Sequence, residues 1–429
     1  MKNNIETFFR PKSIALIGAS EIEQKVGGIL LKKIIKSKVK VIPVNPQHGK
    51  ILGINCYKNI LDYKGHVDLA VIAIPSLFVI GALNECGKKG IKNVIIISAG
   101  FSEIGNTKGE EELVSIAKKY DIKFIGTNCF GICDPKKNLD LTFSATIPSK
   151  GDIAFVSQSG ALWSYISDFS ASLDEKQKFG FSNFVSLGNM ADLEFSDFIE
   201  YFSKDKATKS IVLYVEKLKD GKRFMNACKK CSKPIYAVKA GSSEKGSEAA
   251  FSHTASIASD YDIYRAAFKQ SKVVLCDGLL DAFEKASGKK FVKDEGRENV
   301  KIGRKVFILT NAGGAGALLA DYLSKKGFSV VDKPLDLLGT ASGSDYFNAL
   351  EKLKTQTFYD SIAVVFTAQS MSETVKTAEA IAEFKKQSGK HIVALFLGGK
   401  SMKEANKILQ DSNVPYFNTL EEARSSLTI

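Results

Sequence analysis

The stretch Ser252-His253-Thr254-Ala255-Ser256 sets one of only four histidines among small polar residues, shortly after the run Lys239-Ala240-Gly241-Ser242-Ser243-Glu244-Lys245-Gly246. Imidazole is nucleophilic at neutral pH without a strong base beside it, so a histidine in such company can carry a phosphoryl group. It can equally be an ordinary loop histidine. Deciding between the two requires somewhere for an anionic group to sit.

Three small-residue turns are candidates: Gly18-Ala19-Ser20, Ser157-Gln158-Ser159-Gly160-Ala161 and Asn311-Ala312-Gly313-Gly314-Ala315-Gly316. Glycine and serine let backbone amides approach an anion, and a helix starting there aims its partial positive end at the same point. Steric packing of strand against helix also selects glycine, so each turn taken singly has a plain structural explanation. Gly18-Ala19-Ser20 lacks the full G-x-G-x-x-G dinucleotide pattern. The second apolar run ends in Val44-Asn45-Pro46, without the acidic residue that would hold the ribose of NAD.

Short β-branched runs alternate with longer amphipathic segments, which predicts parallel α/β architecture. Strands are expected at Ser13–Ile17, Lys40–Val44, Leu69–Ile74, Asn93–Ile97 and Lys123–Ile125, with helices over Gly27–Lys36, Phe78–Lys89 and Lys108–Tyr120. This is a Rossmann-like unit, placed at residues 1–148. A second unit, 149–288, has strands at Asp152–Val156, Ile211–Val215, Ile235–Val238 and Val273–Leu275. The polar stretch 289–304 reads as a linker. A third unit, 305–429, has strands at Val306–Leu309, Ile362–Phe366 and Ile392–Phe396. Each unit opens on a strand that runs into one of the three turns, the edge where open α/β sheets bind ligands.

At 429 residues and 44% apolar content the chain has the composition of a globular protein with several cores. No apolar run approaches the 18 to 20 or so residues of a membrane helix, and the start lacks a secretory apolar region, so a cytoplasmic protein is expected. The net charge of +13 comes almost wholly from lysine, with six scattered arginines, which argues against a dedicated nucleic-acid surface. A positive field would still draw in phosphates or coenzyme A. Seven cysteines form no disulfide framework, and Cys228 and Cys231, with no second pair or nearby histidine, do not make a metal site.

The ordered set of motifs resembles the nucleoside-diphosphate-forming acyl-CoA synthetases, the superfamily of succinyl-CoA synthetase, and within it the alpha subunits of ADP-forming acetate–CoA ligases. It runs through Ile14–Ser20, Pro43–Pro46, Ile95–Glu103 and Gly126–Ile132. It continues with Val156–Ala161, Ser186–Asn189 with Ala191-Asp192, and Leu213–Glu216. It ends with Ser252–Thr254, Thr310–Gly314 and Asp336–Gly339. The resemblance implies a coenzyme A-binding first domain followed by two flavodoxin-like domains. Coenzyme A would lie on Gly18, Ala19, Ser20 and the Lys25-Val26-Gly27 turn, pass Val44, Asn45, Pro46, Ile74 and Pro75, and end near Asn128 and Cys129. The implied reaction converts acyl-CoA, phosphate and ADP into carboxylic acid, coenzyme A and ATP through an acyl phosphate and a phosphohistidine at His253. Glu216 would hold the second ring nitrogen and fix its tautomer; otherwise it is a strand-end carboxylate paired with Lys217 or Lys219. Ser157, Gln158, Ser159 and Gly160 from one domain, and Asn311, Gly313 and Gly314 from another, would hold the phosphoryl group.

Three positions depart from the family pattern: Thr127 and Ala315 stand where proline is common, and Ala255 where glycine is usual. No stretch resembles an ATP-grasp domain. ADP and Mg2+ are therefore expected on a partner beta subunit, in an α2β2 hetero-oligomer. A non-catalytic protein that binds or senses acyl-CoA is the alternative, and a nicotinamide-dependent dehydrogenase is a third reading.

Overall fold

The computed structural model describes residues 5–254, 261–291 and 299–429, apart from the side chains of 250–254. It is built around three open α/β sheets. The first has the order Lys40–Val44, Ser13–Ile17, Leu69–Ile72, Asn93–Ile96, Lys123–Gly126, all parallel. Ser13–Ile17 and Leu69–Ile72 are buried along their whole length, as strands covered on both faces must be. The chain order reverses around Ser13–Ile17, so the turn Gly18-Ala19-Ser20 lies at a topological switch point. Helices Val26–Ser37, Ser76–Lys88 and Thr107–Tyr120 form within one to two residues of their predicted positions.

The second sheet runs Val274–Leu275, Ile235–Lys239, Ser210–Val215, Lys150–Ser157, Phe181–Ser186, Ile132–Asp134, Leu139–Asp140. Its last two strands are antiparallel. They lie ahead of residue 148, so the chain enters the second sheet by way of Gly131, whose carbonyl accepts from Ser186 N–H at 2.9 Å. Phe181–Ser186 is a strand that the sequence does not announce. Its Asn183 and the serines at 182 and 186 mask a β signal that is plain only in the buried partner rings: Trp163 stacks on Phe184 at 4.2 Å.

The third sheet orders Ser329–Val330, Lys305–Thr310, Ser361–Thr367, His391–Leu397 and Tyr416–Phe417, with Leu335–Asp336 also pairing with Lys305–Thr310. In the expected linker, Val300–Lys301 pairs with Leu427–Thr428 near the end of the chain; residues 292–298 lie outside the described residues. All seven cysteines are free thiols. Among the described residues no helix is long and apolar enough to cross a membrane.

Ser252, His253 and Thr254 do not lie in a loop. They end the helix Glu244–Thr254, while Ala255 and Ser256 fall outside the described residues, as does the His253 side chain. This helix packs along Gly313–Lys325 of the third unit.

Candidate active site

The strand ends of all three sheets converge on one cavity of about 860 Å³. The first sheet contributes Ile74 and Pro75 after Leu69–Ile72, and Asn128 and Cys129 after Lys123–Gly126. Val26, at the start of its helix, lines the same space. Gln158, Ser159 and Gly160 come from the second sheet, Asn311 and Gly313 from the third.

The remaining residues expected to hold coenzyme A do not line this cavity. Gly18 N–H donates to the Val44 carbonyl at 2.9 Å, and Asn45 Nδ2 donates to the Ala19 carbonyl at 2.8 Å. The turn at 18–20 and the end of the second strand are thus tied into one ledge. Ser20 Oγ accepts from Ile22 N–H at 3.0 Å, and Lys25, exposed, is the residue before helix Val26–Ser37. Gly27 is buried so close to the Gly18 carbonyl that a Cβ there has no room. Its glycine is required by packing. Pro46, which follows Asn45, is exposed and does not line the cavity.

Two helices start at the cavity wall, Ala161–Ser172 and Gly313–Lys325, and neither N-terminus has a side-chain cap. Uncapped first-turn amides are the donors an oxyanion needs. The two turns touch: an ideal Cβ on Gly314 would lie 2.6 Å from both Cβ and Oγ of Ser159. Tyr214, fully buried, donates from its hydroxyl to the Gly314 carbonyl at 3.1 Å and so bolts the second unit to the third. Burial holds that phenol well above its usual range, so it remains a donor.

Not every expected ligand is free to act as one. Ser157 Oγ donates to the Ser159 carbonyl at 2.6 Å, and Ser157 is fully buried, which makes it a brace for the turn. Asn311 Nδ2 donates to the Thr367 carbonyl at 3.1 Å while its Oδ1 accepts from Thr367 N–H at 3.0 Å. Its side chain therefore fastens the glycine turn to the neighbouring strand. Gln158 is 2% exposed; its Oε1 accepts from the N–H groups of Glu216 at 2.7 Å and Lys217 at 2.9 Å. That fixes the amide and leaves Nε2 buried without a partner among the described residues. Glu216 directly follows the strand Ser210–Val215 and is 3% exposed.

Cys129 is buried and burial pushes its thiol up to about 12, so it stays protonated at neutral pH and forms wall without acting as a nucleophile. Thr127 and Ala315 both use what proline lacks. Thr127 Oγ1 donates to Glu110 at 2.9 Å and accepts from Asn189 Nδ2 at 2.9 Å, and Ala315 N–H donates to the Ala312 carbonyl at 2.9 Å. Asn189 also donates to Glu103 at 2.6 Å and its N–H reaches the Thr127 carbonyl at 2.9 Å, so the Ser186–Asn189 motif clamps the second unit onto the Thr127-Asn128 turn.

Two buried charged residues near the histidine helix have roles that the sequence did not reveal, and the first of them fixes where that helix starts. Asp321 is 2% exposed within Gly313–Lys325. It accepts from Gly241 N–H at 2.9 Å, and from the N–H and Oγ of Ser243 at 2.8 Å each. The signal was a lone aspartate in the otherwise apolar run Ala315–Leu323. Lys239, 6% exposed, donates to the Ala240 carbonyl and lies 4.5 Å from the centre of the Tyr264 ring. Burial drives its ammonium down to about 8, against the opposing pull of Asp321 and Glu216.

The depressed value fixes the sign of a stability effect. Below about pH 8 both folded and unfolded chains carry the charge, and the folded chain bears the full burial penalty. Between that pH and 10.5 the folded lysine loses its proton first and the penalty fades. Lys239→Met is therefore expected to stabilise the chain near neutral pH by about 1 to 3 kcal/mol, after the lost bond to Ala240 is subtracted. Denaturant titrations at pH 7 and pH 10 check this; an advantage equal at both pH values contradicts it.

The amino-acid sequence matches two family models: "CoA binding domain" over residues 12–135 and "Succinyl-CoA ligase like flavodoxin domain" over residues 150–287. It is 38% identical to an ADP-forming acetate–CoA ligase II alpha subunit of Pyrococcus furiosus, over 98% of this chain and 96% of that one. It is 37% identical to an ADP-forming acetate–CoA ligase I of Archaeoglobus fulgidus, over 96% of this chain but 61% of that longer protein. Among solved structures it resembles the dinucleotide-forming acetyl-coenzyme A synthetase 1 of Ca. Korarchaeum cryptofilum in complex with phosphate and ADP. The TM-score there is 0.63 and identity 32%, covering 99% of this chain and 95% of that one.

Proposed function

The chain belongs to the ADP-forming acetate–CoA ligases and is of the alpha-subunit kind, and from that premise we propose how its residues carry the reaction. Two uncapped helix N-termini pressed together at Ser159 and Gly314 carry the proposal, because they open on the cavity walled by Pro75, Asn128 and Cys129. Coenzyme A runs from the ledge formed by Gly18, Ala19, Ser20 and Asn45, past Ile74 and Pro75, and brings the thioester to Asn128. Phosphate sits between the two helix ends, where the amides of Ser159, Gly160, Gly313 and Gly314 and the free Nε2 of Gln158 receive its oxygens.

A phosphate oxygen attacks the thioester carbonyl, the C–S bond breaks, and the thiol leaves with a proton. The His253 ring nitrogen then attacks phosphorus of the acyl phosphate, the P–O bond to the acyl group breaks, and the free carboxylate departs. Glu216, in the low-dielectric strand end, steadies the positive imidazole that this step creates. Phosphohistidine finally passes its phosphoryl group to ADP. The nucleotide and Mg2+ are assigned to an ATP-grasp beta subunit in an α2β2 assembly, and the setting to the cytoplasm; the separate alpha subunits among the relatives support that division.

The test is incubation of the chain with acyl-CoA and radioactive phosphate. Acid-labile, base-stable label is expected on the protein, and ADP should chase it into ATP once the partner chain is added. Such label counts against both the sensing protein and the dehydrogenase, since neither produces a phosphorylated protein from acyl-CoA. No label with any acyl-CoA tried would overturn the reading. Efficient ATP synthesis by the chain alone would overturn the division between subunits.

A further inference from the structure

Among the polar side chains that the third unit gives the cavity and the reaction above does not use, Gln369 stands out for its burial. Gln369, two residues beyond the strand Ser361–Thr367, lines the cavity and is 4% exposed. Its surroundings hold it still. The Gln369 N–H donates to Ser372 Oγ at 3.0 Å, Ser370 N–H donates to the Phe143 carbonyl at 3.0 Å, and Gln369 bridges in antiparallel fashion to Ser144. Gly339 lies so close that a Cβ there would collide with both amide heteroatoms. Despite this confinement, Gln369 Oε1 is buried with no hydrogen-bond partner among the described residues. Buried amide oxygens without a donor are costly and rare in folded chains.

The position of this acceptor limits what can satisfy it. In the proposed function coenzyme A enters along Ile74 and Pro75, which line the cavity from the first sheet. Gln369 belongs to the third sheet, beyond Phe143, whose ring centre lies 3.8 Å from that of Phe130. Phe130 in turn packs against Gly160, where the helix Ala161–Ser172 begins. Gln369 therefore lines the cavity from the third sheet while Ile74 and Pro75 line it from the first, which in the proposed reading leaves the acceptor to the acyl end of the substrate. What reaches there is the acyl chain, in a cavity that the apolar Phe143 and Leu338 also line.

We propose that Gln369 reads the acyl chain and favours small aliphatic acids that carry a hydroxyl group, which donates to its Oε1. This rests on the assignment of the cavity as an acyl-CoA site. A hydrophobic pocket alone separates a hydroxyl from a methyl poorly, whereas a site built to bond the hydroxyl separates them well.

The experiment measures dissociation constants of the full chain for 2-, 3- and 4-hydroxyacyl-CoAs, each against the acyl-CoA in which methyl replaces hydroxyl, with unacylated coenzyme A as reference. In the unsubstituted chain one hydroxyacyl-CoA is expected to bind about tenfold more tightly than its methyl counterpart. In Gln369→Leu that ratio should fall to about one, with Gln369→Asn as a second variant and thermal melting as the control for folding. A ratio unchanged by Gln369→Leu, or absent from the start, overturns the inference while acyl-CoA binding stands. Equal weakening of unacylated coenzyme A also overturns it, because the amide would then be holding the pantetheine arm. Failure of every acyl-CoA to bind the unsubstituted chain is a different outcome: it removes the assignment of the cavity, and this inference with it.

Discussion

His253→Asn is expected to reduce acyl-CoA-dependent phosphorylation of the chain by at least a thousandfold or so, while coenzyme A affinity changes by no more than about threefold. The magnitude follows from the role: without the ring nitrogen there is no acceptor for the phosphoryl group, and asparagine fills a similar volume without being a nucleophile. The location follows from backbone geometry. Asp321 pins Gly241 and Ser243 where the helix Glu244–Thr254 is launched, and the helix then runs along Gly313–Lys325, whose N-terminus is one of the two anion sites. Ala249, four residues before His253 in the same helix, lines the cavity. Glu216→Gln should lose less, because it weakens the support of the ring without removing the acceptor. Quantitative labelling, with circular dichroism as the folding control, decides the matter. Undiminished label in His253→Asn would transfer the nucleophile's role to another residue.

What could be read from the sequence differed by kind of element. Strands buried on both faces announced themselves, because burial on both sides demands continuous β-branched runs; Ser13–Ile17 forms at its expected residues and Asn93–Ile96 ends one residue short of its expected end. The three glycine turns were visible for the same reason, as the breaks that end such runs. Phe181–Ser186 and the two short antiparallel strands were hidden, since their residues are polar or few and their pairing is set by distant partners. The candidate site divided along the same line. Backbone features, such as the uncapped helix starts at Ala161 and Gly313, could be anticipated from residue type. Side-chain duties could not. Asn311 looks like a ligand in the sequence and in the structure bonds Thr367 through both heteroatoms of its amide, while Asp321 and Gln369 owe their environments to helices and loops far away in the chain. A single sequence carries local spacing well and carries the choice between brace and ligand poorly.

That choice has its largest structural consequence at Gly314. Valine there is expected to lower the rate of phosphorylation by about a hundredfold or more, since displacing a reacting group by about 1 Å is enough for such a loss. The reason is contact between the two turns: the new Cβ would stand 2.6 Å from Ser159 Cβ and Oγ and 3.0 Å from the Tyr214 hydroxyl. Ser159 is 1% exposed and Tyr214 fully buried, so neither can swing into solvent. Overpacking of this kind costs about 1–3 kcal/mol. Alanine separates the two effects. Gly314→Ala gains up to about 1 kcal/mol of helix propensity, which offsets part of the clash in stability and does nothing for the geometry of the anion site. The rate should therefore fall more than the stability. Adding Ser159→Gly removes the atoms that the new methyl group would strike and is expected to restore at least about tenfold of the lost rate, a coupling that independent sites do not show. Rates and unfolding free energies of the two single variants and the pair complete the cycle. Recovery of stability without recovery of rate would mean that the spacing of the two helix ends is a matter of packing, and that the phosphoryl group is held elsewhere.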